Sequence, residues 1–247
     1  MSVLCVIPAR YGSKRFPGKP LASDTGKPLI QHVCEAAAGA SRVDAVVVAT
    51  DDERIRDAVE AFGGRAVMTS SEHPCGTNRV AEAAEAFPDA RIVINFQGDE
   101  PELDPALLDR LVEAFDADPS LEAATVAGPL EPDEATDPNA VKVVVGADGD
   151  ALYFSRAPIP WARDGGAARR APMLKHFGIY AFRAAALRSC AAMPQTPLEV
   201  TEKLEQLRWL ENGRRMRVIV TSERPGGIDT PESYAAFVAR YRKANPT

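Results

Sequence analysis

The stretch Val3-Leu4-Cys5-Val6-Ile7-Pro8-Ala9-Arg10-Tyr11-Gly12-Ser13-Lys14-Arg15-Phe16-Pro17-Gly18-Lys19-Pro20 decides the fold. Its first part, Val3 to Ile7, is apolar without a polar break, the pattern of a strand buried on both faces. Pro8 ends that run, and a loop rich in Gly, Pro and cations follows to Pro20. Pro28 then suits the first turn of a helix to about Ala38, and Ala45 to Ala49 is a second apolar strand. Strand, loop, helix and strand in that order form an α/β unit with a parallel sheet.

The same beat runs onward. Asp51 and Asp52 can cap a helix from Glu53 to about Phe62, Gly63 and Gly64 stop it, and Arg65 to Met68 reads as a strand. Thr77 to Ala86 has helical period, Ile92 to Phe96 is an apolar strand, and the leucines of Pro105 to Phe115 recur at helical spacing. Ala123 to Ala127 is the next predicted strand. Prolines at 129, 132, 138, 158 and 160 and the stretch Asp164 to Pro172 then interrupt the pattern. Within this insertion, about 129–176, Val141 to Val145 and Leu152 to Ser155 read as antiparallel strands around Ala147-Asp148-Gly149-Asp150. Gly178 to Phe182 is a predicted strand, Pro197 to about Glu211 a helix, Arg217 to Val220 a strand and Pro231 to Arg242 a helix. The expectation is one doubly wound α/β domain over 1–247, mostly parallel, with a small antiparallel and irregular insertion that serves as a lid or dimer arm.

Composition bounds the function. The 247 residues are 45% hydrophobic and 26% charged, ordinary values for a globular chain that buries a sizeable core. With 29 basic and 35 acidic residues the net charge is −6, which argues against a nucleic-acid or anionic-membrane surface and makes any phosphate site local. Cys5, Cys34, Cys75 and Cys190 are scattered without a C-x-x-C pair, which reads as reduced thiols in a cytoplasmic chain. No apolar run approaches the roughly 20 residues of a membrane helix, and no signal peptide is apparent.

In open α/β sheets ligands bind beyond the carboxyl ends of the strands, so chemistry is sought in the loops there. The loop after the first strand carries Arg10, Lys14, Arg15 and Lys19 among several backbone amides. It is either a solvated basic loop or a triphosphate cradle, and it matches neither of the common glycine-rich phosphate motifs. Gln97-Gly98-Asp99-Glu100-Pro101 follows an apolar strand, where Asp99 is either a turn residue or a ligand for magnesium, which favours carboxylate and phosphate oxygens. Asp229, in Pro225-Gly226-Gly227-Ile228-Asp229-Thr230-Pro231, is either a helix cap or a second such ligand. Ser71 to Arg79 is either a capped helix entrance or a reader of a base edge, His176 opens a strand, and Glu199, Glu202, Glu205 and Gln206 share one side of a helix. These readings together amount to a magnesium-dependent nucleotide-binding enzyme.

The motifs in this order resemble the sugar nucleotidylyltransferases, most closely the branch that activates the sugar acid 3-deoxy-manno-octulosonate (Kdo) with CTP. The resemblance rests on Pro8-Ala9-Arg10 with Ser13, Arg15, Pro17, Lys19 and Pro20, on Ala49-Thr50-Asp51, Gly76-Thr77 with Arg79, and Gln97 to Pro101. It continues through Pro138 to Lys142, Tyr153-Phe154-Ser155-Arg156, His176 with Gly178-Ile179-Tyr180, Leu204 to Arg208, and Asp229-Thr230-Pro231. It implies transfer of CMP from CTP to the anomeric hydroxyl of Kdo, release of pyrophosphate, and a homodimer serving lipopolysaccharide synthesis. Carried onto matching positions, Arg10, Lys19, Ser13, Arg15 and Ala9 would hold the triphosphate, and Asp99 and Asp229 a magnesium ion. Gly76, Thr77 and Arg79 would lie by the cytosine. Gln97, which would also bind the nucleotide, Arg156, His176, Tyr180, Glu205 and Gln206 would face the sugar acid, with Arg156 as the fork for its carboxylate. Cys75 and Asn78 depart from the family pattern, which more often has a small hydroxyl residue and an acidic one, and the stretch Asp164 to Lys175 is rich in Ala and Arg. An acceptor such as 8-amino-Kdo or a sialic acid, and a non-catalytic nucleotide-binding protein on the same scaffold, are the alternatives.

Overall fold

The run that opens the chain forms β1 (Val3–Ala9), six of whose seven residues are buried. The computed structural model describes residues 2–12, 15–163, 171–223 and 226–246, and the chain divides into two compact units, Met1–Asp109 with Pro225–Thr247, and Arg110–Arg224. The first unit alternates β1, α1 (Leu29–Ala38), β2 (Ala45–Thr50), α2 (Glu53–Ala61), β3 (Ala66–Met68), α3 (Gly76–Glu85) and β4 (Ile92–Asn95). Its strands lie in the order β3-β2-β1-β4 and every pair is parallel, with Val6 opposite Val47, Cys5 opposite Ile94 and Ala49 opposite Val67. β1 therefore has β2 on one side and β4 on the other. The order reverses there, and a sheet opens a crevice beyond its strand ends at such a reversal.

Helix boundaries follow local chemistry. Asp52 caps α2 by accepting from the Arg54 amide at 3.0 Å. α1 buries Leu29, Ile30, Val33 and Ala37, a helical stripe. α4 (Ala106–Ala117) buries Leu107, Leu108, Leu111, Val112 and Phe115 in the same way.

The second unit contains β5 (Ala123–Pro129), β6 (Lys142–Val145), β7 (Ala151–Ser155), β8 (Leu174–Arg183), α5 (Ala184–Ala192), α6 (Pro197–Glu202), α7 (Gln206–Glu211) and β9 (Arg217–Val220). β5 runs parallel to β9 and antiparallel to β8, with a shift in register between Thr125 and Val126. The predicted hairpin is present: Val144 faces Tyr153, and Gly149, at φ 85°, closes the turn by donating to the Gly146 carbonyl at 3.0 Å. The last helix of the chain, α8 (Pro231–Ala244), belongs to the first unit and starts from a Thr230 cap that accepts from the Ser233 amide.

Three expectations change. The helix expected over Pro197 to Glu211 is two short helices, because Lys203 adopts φ 53°, a left-handed conformation that ends α6. The strand expected over Gly178 to Phe182 extends over Leu174–Arg183, and the alanine-rich segment after it forms α5, an element not expected. The stretch about 129–176 is less irregular than its prolines suggest, since it holds β6, β7 and the start of β8, while 164–170 lies outside the described residues. All four cysteines are free, and burial raises the thiol pKa values of Cys34 to about 12 and of Cys190 to about 11. Among the described residues no helix is long and apolar enough to cross a membrane.

Candidate active site

In the first unit the loops after β1 and β4 and the turn before α8 converge. Gly18 lets the β1 loop close: at φ 72° its amide donates to the Tyr11 carbonyl at 3.0 Å, and a Cβ there would stand 3.3 Å from the Tyr11 ring. The Arg54 guanidinium covers the Tyr11 ring, 3.4 Å from its centroid, and Asp52 holds Arg54 with both carboxylate oxygens. Gly98 is equally constrained, because a Cβ would lie 3.0 Å from the Pro8 carbonyl oxygen. A side chain there would press on the backbone at the end of β1, so glycine lets the Gln97-Gly98-Asp99 turn lie close against it.

This closure brings four charged groups together. Lys19 Nζ donates to Asp99 Oδ2 at 2.9 Å and to the Ile228 carbonyl at 2.7 Å, and stands 3.7 Å from Asp229 Oδ1. Arg15 reaches the same Asp229 oxygen at 3.1 Å. The Ile228 amide donates to the Asp99 carbonyl at 2.8 Å, so the two acidic turns are joined through the backbone as well. Ile228 is held by a cluster of Leu29, Tyr234, Phe237 and Val238, with Phe16 and Ala22 packed on it. Full burial of one such aliphatic side chain contributes about 1.5–3 kcal/mol, which anchors the neighbouring Asp229.

The donor set suits a hard divalent cation. Asp99 and Asp229 offer carboxylate oxygens from separate turns, and among the described residues no group of three or more His, Cys, Asp or Glu could hold a metal. Two carboxylates without a closed protein cage fit magnesium, which keeps several waters and shares its shell with substrate phosphates. They do not fit zinc, which takes four ligands, mostly nitrogen and sulfur, in a structural site.

The remaining predicted nucleotide residues have mixed placements. Ala9 is buried at the end of β1, paired with Thr50, and Ser13 lies outside the described residues. Arg10 donates to the His73 carbonyl at 2.8 Å, which ties the β1 loop to the segment before α3. His73 Nε2 is hydrogen-bonded to Glu82, which holds the Glu82 carboxyl below its ordinary value. Gly76 opens α3 and Thr77 is buried in its first turn. Gln97 is half-buried and donates to the side chain of Asn95 at 3.3 Å. Arg79 is wholly buried, donating to Thr69 Oγ1 at 2.5 Å and to Asp51 Oδ2 at 3.0 Å. Its two terminal nitrogens fix the ends of β2 and β3.

In the second unit the sugar-acid candidates form their own cluster. The shift in the β5–β8 pairing lets Thr125 Oγ donate to the Ile179 carbonyl at 2.7 Å, so at 2.8 Å from His176 Nε2 the same oxygen accepts, and the imidazole carries its proton on Nε2. Burial against Phe154 and Tyr180 lowers the His176 pKa to about 3, which keeps the ring neutral. Tyr180 donates its hydroxyl to Gln206 Oε1 at 3.1 Å, and Gln206 Nε2 is buried with no protein partner. Glu205 is half-buried just before α7.

Arg156 meets three backbone carbonyls. Its Nε donates to the Glu202 carbonyl at 2.7 Å, one terminal nitrogen to the Pro138 carbonyl at 2.6 Å and the other to the Lys203 carbonyl at 3.2 Å. Each of its three nitrogens is thus engaged once, and each terminal nitrogen keeps a second N–H. Two residues that sequence reasoning left out of the site complete this arrangement. Glu202 accepts from Ser155 Oγ at 2.6 Å and from the Arg156 amide at 3.0 Å, and the fully buried Lys142 donates to the Arg156 and Asp137 carbonyls at 2.6 and 2.9 Å. Desolvation lowers the Lys142 pKa. Placement of Lys142 within Pro138 to Lys142 and of Glu202 beside Glu205 was the available signal.

An acidic pair on a basic loop at a parallel-sheet reversal, with a separate polar cluster around a neutral histidine, is the equipment of a nucleotidyl transfer enzyme. The cytidylyltransferase family model matches residues 4–217. The chain is 52% identical over 241 residues to 3-deoxy-manno-octulosonate cytidylyltransferase from Nitratidesulfovibrio vulgaris strain Hildenborough, covering 96% of this chain and 95% of that protein. It is 48% identical to the protein of that name from Geobacter metallireducens, covering 97% and 98%. A solved CMP:2-keto-3-deoxy-manno-octonic acid synthetase complexed with CTP superposes with a TM-score of 0.93 at 43% identity, covering 99% of this chain and all of that one. A cytidylyltransferase from Leptospira borgpetersenii, 19% identical with a TM-score of 0.63 and covering 100% and 95%, shares the fold. The chain belongs to the cytidylyltransferase family and, within it, to the 3-deoxy-manno-octulosonate cytidylyltransferases.

Proposed function

We infer that this chain is the enzyme its relatives' name describes: it transfers CMP from CTP to Kdo and forms CMP-Kdo. Pyrophosphate leaves, and the activated sugar acid feeds lipopolysaccharide assembly. The observation that carries the reading is the convergence of Asp99 and Asp229 on Lys19 beside the β1 loop. In-line attack of a sugar hydroxyl on the α-phosphorus needs the two reactants positioned and the charge of the departing pyrophosphate balanced. Arg10, Arg15 and Lys19 supply fixed positive charge for the triphosphate. Asp99 and Asp229 would hold magnesium, which when bound makes the phosphorus more electrophilic and a nearby hydroxyl more acidic. No histidine base is required, and the depressed pKa and buried Nε2–H of His176 fit a positioning group.

The sugar acid is read by the second unit. Gln206 Nε2 supplies a buried donor for an oxygen of the acid, and Tyr180 holds the other end of that amide. The reading includes a homodimer, in keeping with the 79% exposed Trp161, and a cytoplasmic site of action, in keeping with four free cysteines.

The test is pyrophosphate release with CTP, magnesium and Kdo, repeated with UTP, ATP, 8-amino-Kdo and a sialic acid, and with EDTA in place of magnesium. Release confined to CTP plus Kdo and abolished by EDTA is expected. Release with another acid and not with Kdo would reassign the acceptor. A folded chain that binds CTP and releases nothing would overturn the reading.

A further inference from the structure

We propose that Glu202 and Arg156 are positioning residues for the sugar-acid subsite, acting through the backbone at Lys203 to set the amide of Gln206. This rests on the function proposed above and adds Glu202 as a determinant of sugar affinity.

The chain bends at Lys203. Among the described residues it is the one non-glycine with positive φ, at 53°, a conformation that lysine disfavours. Such a backbone persists only where the surroundings hold it. Here Arg156 donates to the carbonyls of both Glu202 and Lys203, at 2.7 and 3.2 Å, on either side of the bend. Arg156 is held in turn: the Glu202 carboxylate accepts from its amide at 3.0 Å, and Lys142 donates to its carbonyl at 2.6 Å. The other Glu202 oxygen accepts from Ser155 at 2.6 Å, so one carboxylate fixes the end of β7 to the end of α6.

The bend has a direct consequence. It ends α6 and lets the chain restart as α7 at Gln206, whose amide then meets Tyr180 at one end and has an unpartnered buried nitrogen at the other. A buried donor without a protein partner is open to an acceptor from a bound ligand or an ordered water. A continuous helix through residue 203 would rotate Gln206 away from that place. Glu202 thus determines how well an oxygen of the sugar acid is met without touching it.

Steady-state kinetics of Glu202→Gln and Glu202→Ala test this. Gln keeps the shape and one acceptor, and Ala removes both. The expected result is a graded rise in KM for Kdo, about tenfold for Glu202→Ala and less for Glu202→Gln, the scale of one lost charge-assisted hydrogen bond. KM for CTP should stay within about twofold, since its determinants lie in the other unit. That split also shows that the variants are folded, and if Glu202→Ala fails to fold, the isosteric Glu202→Gln decides alone. An unchanged KM for Kdo in Glu202→Gln and in any folded Glu202→Ala, with active wild-type enzyme, overturns the positioning role and leaves the reaction standing. A proportional loss for both substrates overturns it too, as the mark of general destabilisation. Wild-type protein that releases no pyrophosphate from CTP and Kdo instead overturns the function on which the inference rests.

Discussion

Lys19 Nζ donates to Asp99 Oδ2 at 2.9 Å, tying the loop after the first strand to the turn after the fourth. The same nitrogen reaches the Ile228 carbonyl and Asp229, so one cation registers three chain segments far apart in sequence. A site of this kind joins stability to chemistry: the carboxylates that pair with Lys19 are those with the right donors for magnesium. Asp99→Asn keeps the shape and removes the charge. Its kcat for pyrophosphate release should fall about 100-fold or more, the scale of a lost electrostatic contact to a transition state. The thermal midpoint should move little, because Asp99 is partly exposed and its backbone still accepts from Ile228. A normal kcat in folded Asp99→Asn would sink the metal role of this residue.

Glu199 and Arg208 form a two-pronged pair, at 2.7 and 2.5 Å, with side chains only 5% and 4% exposed. Burial pushes the Glu199 carboxyl up, but the hydrogen bonds from Arg208 and the Thr196 amide, together with the Arg208 charge, outweigh it and the pKa ends below its ordinary 4.5. Because the folded-state pKa is depressed, the stabilisation is present above 4.5 and is lost as pH falls through the lower folded value. Glu199→Leu leaves a buried guanidinium uncompensated and should cost about 3–5 kcal/mol. Adding Arg208→Leu should recover much of that loss. Urea melts of the two variants at neutral pH check both statements, and equal destabilisation by the single and double changes contradicts the account.

His176 gives the opposite ionisation with the same sign of pH dependence. Its folded pKa of about 3 lies below the ordinary 6.5, so between those values the unfolded chain takes up a proton that the folded chain refuses. Stability therefore falls as pH drops from 6.5 toward 3, by at most about 1.4 kcal/mol per pH unit from this group. His32, lowered by burial as well, adds to the slope in the wild type. His176→Gln can still donate to Thr125 and does not titrate. Its melts should lose stability less steeply than wild type over that interval, and identical slopes would mean that the ring is not held neutral.

The sheet of the first unit was legible because buried parallel strands are apolar throughout: Val3 to Ile7, Ala45 to Ala49 and Ile92 to Phe96 have few other readings. The convergence of Asp99, Asp229 and Lys19 was legible for a related reason, since each stands in a loop that the topology sends to one edge. What escaped has physical causes. α5 buries Ala186, Leu187 and Cys190, and its alanines mark no apolar stripe that composition would reveal. The bend at Lys203 carries no glycine to announce it, so one helix was expected where the chain makes two. The carbonyl partners of Arg156 were not legible, because the donors that match a carboxylate also match paired carbonyls and sequence does not distinguish them. The partners of Arg79 escaped alike, Asp51 and Thr69 lying at the ends of strands that only folding brings beside it.

Cys75 occupies the N-cap of α3 in extended backbone and makes no side-chain capping bond. Its thiol instead lies 2.8 Å from the Asn78 side-chain oxygen. A thiol is a weak acceptor, whereas a serine hydroxyl accepts well from the amide two or three residues on. Cys75→Ser should therefore stabilise the protein by about 0.5–1 kcal/mol, raising the melting temperature by about 1–4 °C for a chain of this length. Position 75 sits beside Gly76 and Thr77, so the same variant asks whether the cap matters to the base. If the cap only holds the helix start, the ratio of kcat/KM for CTP over UTP stays within about twofold of wild type while the melting temperature rises. A changed ratio at unchanged stability would give the Cys75 sulfur a part in reading the pyrimidine, and a lower melting temperature would show that the thiol packs better than a hydroxyl caps.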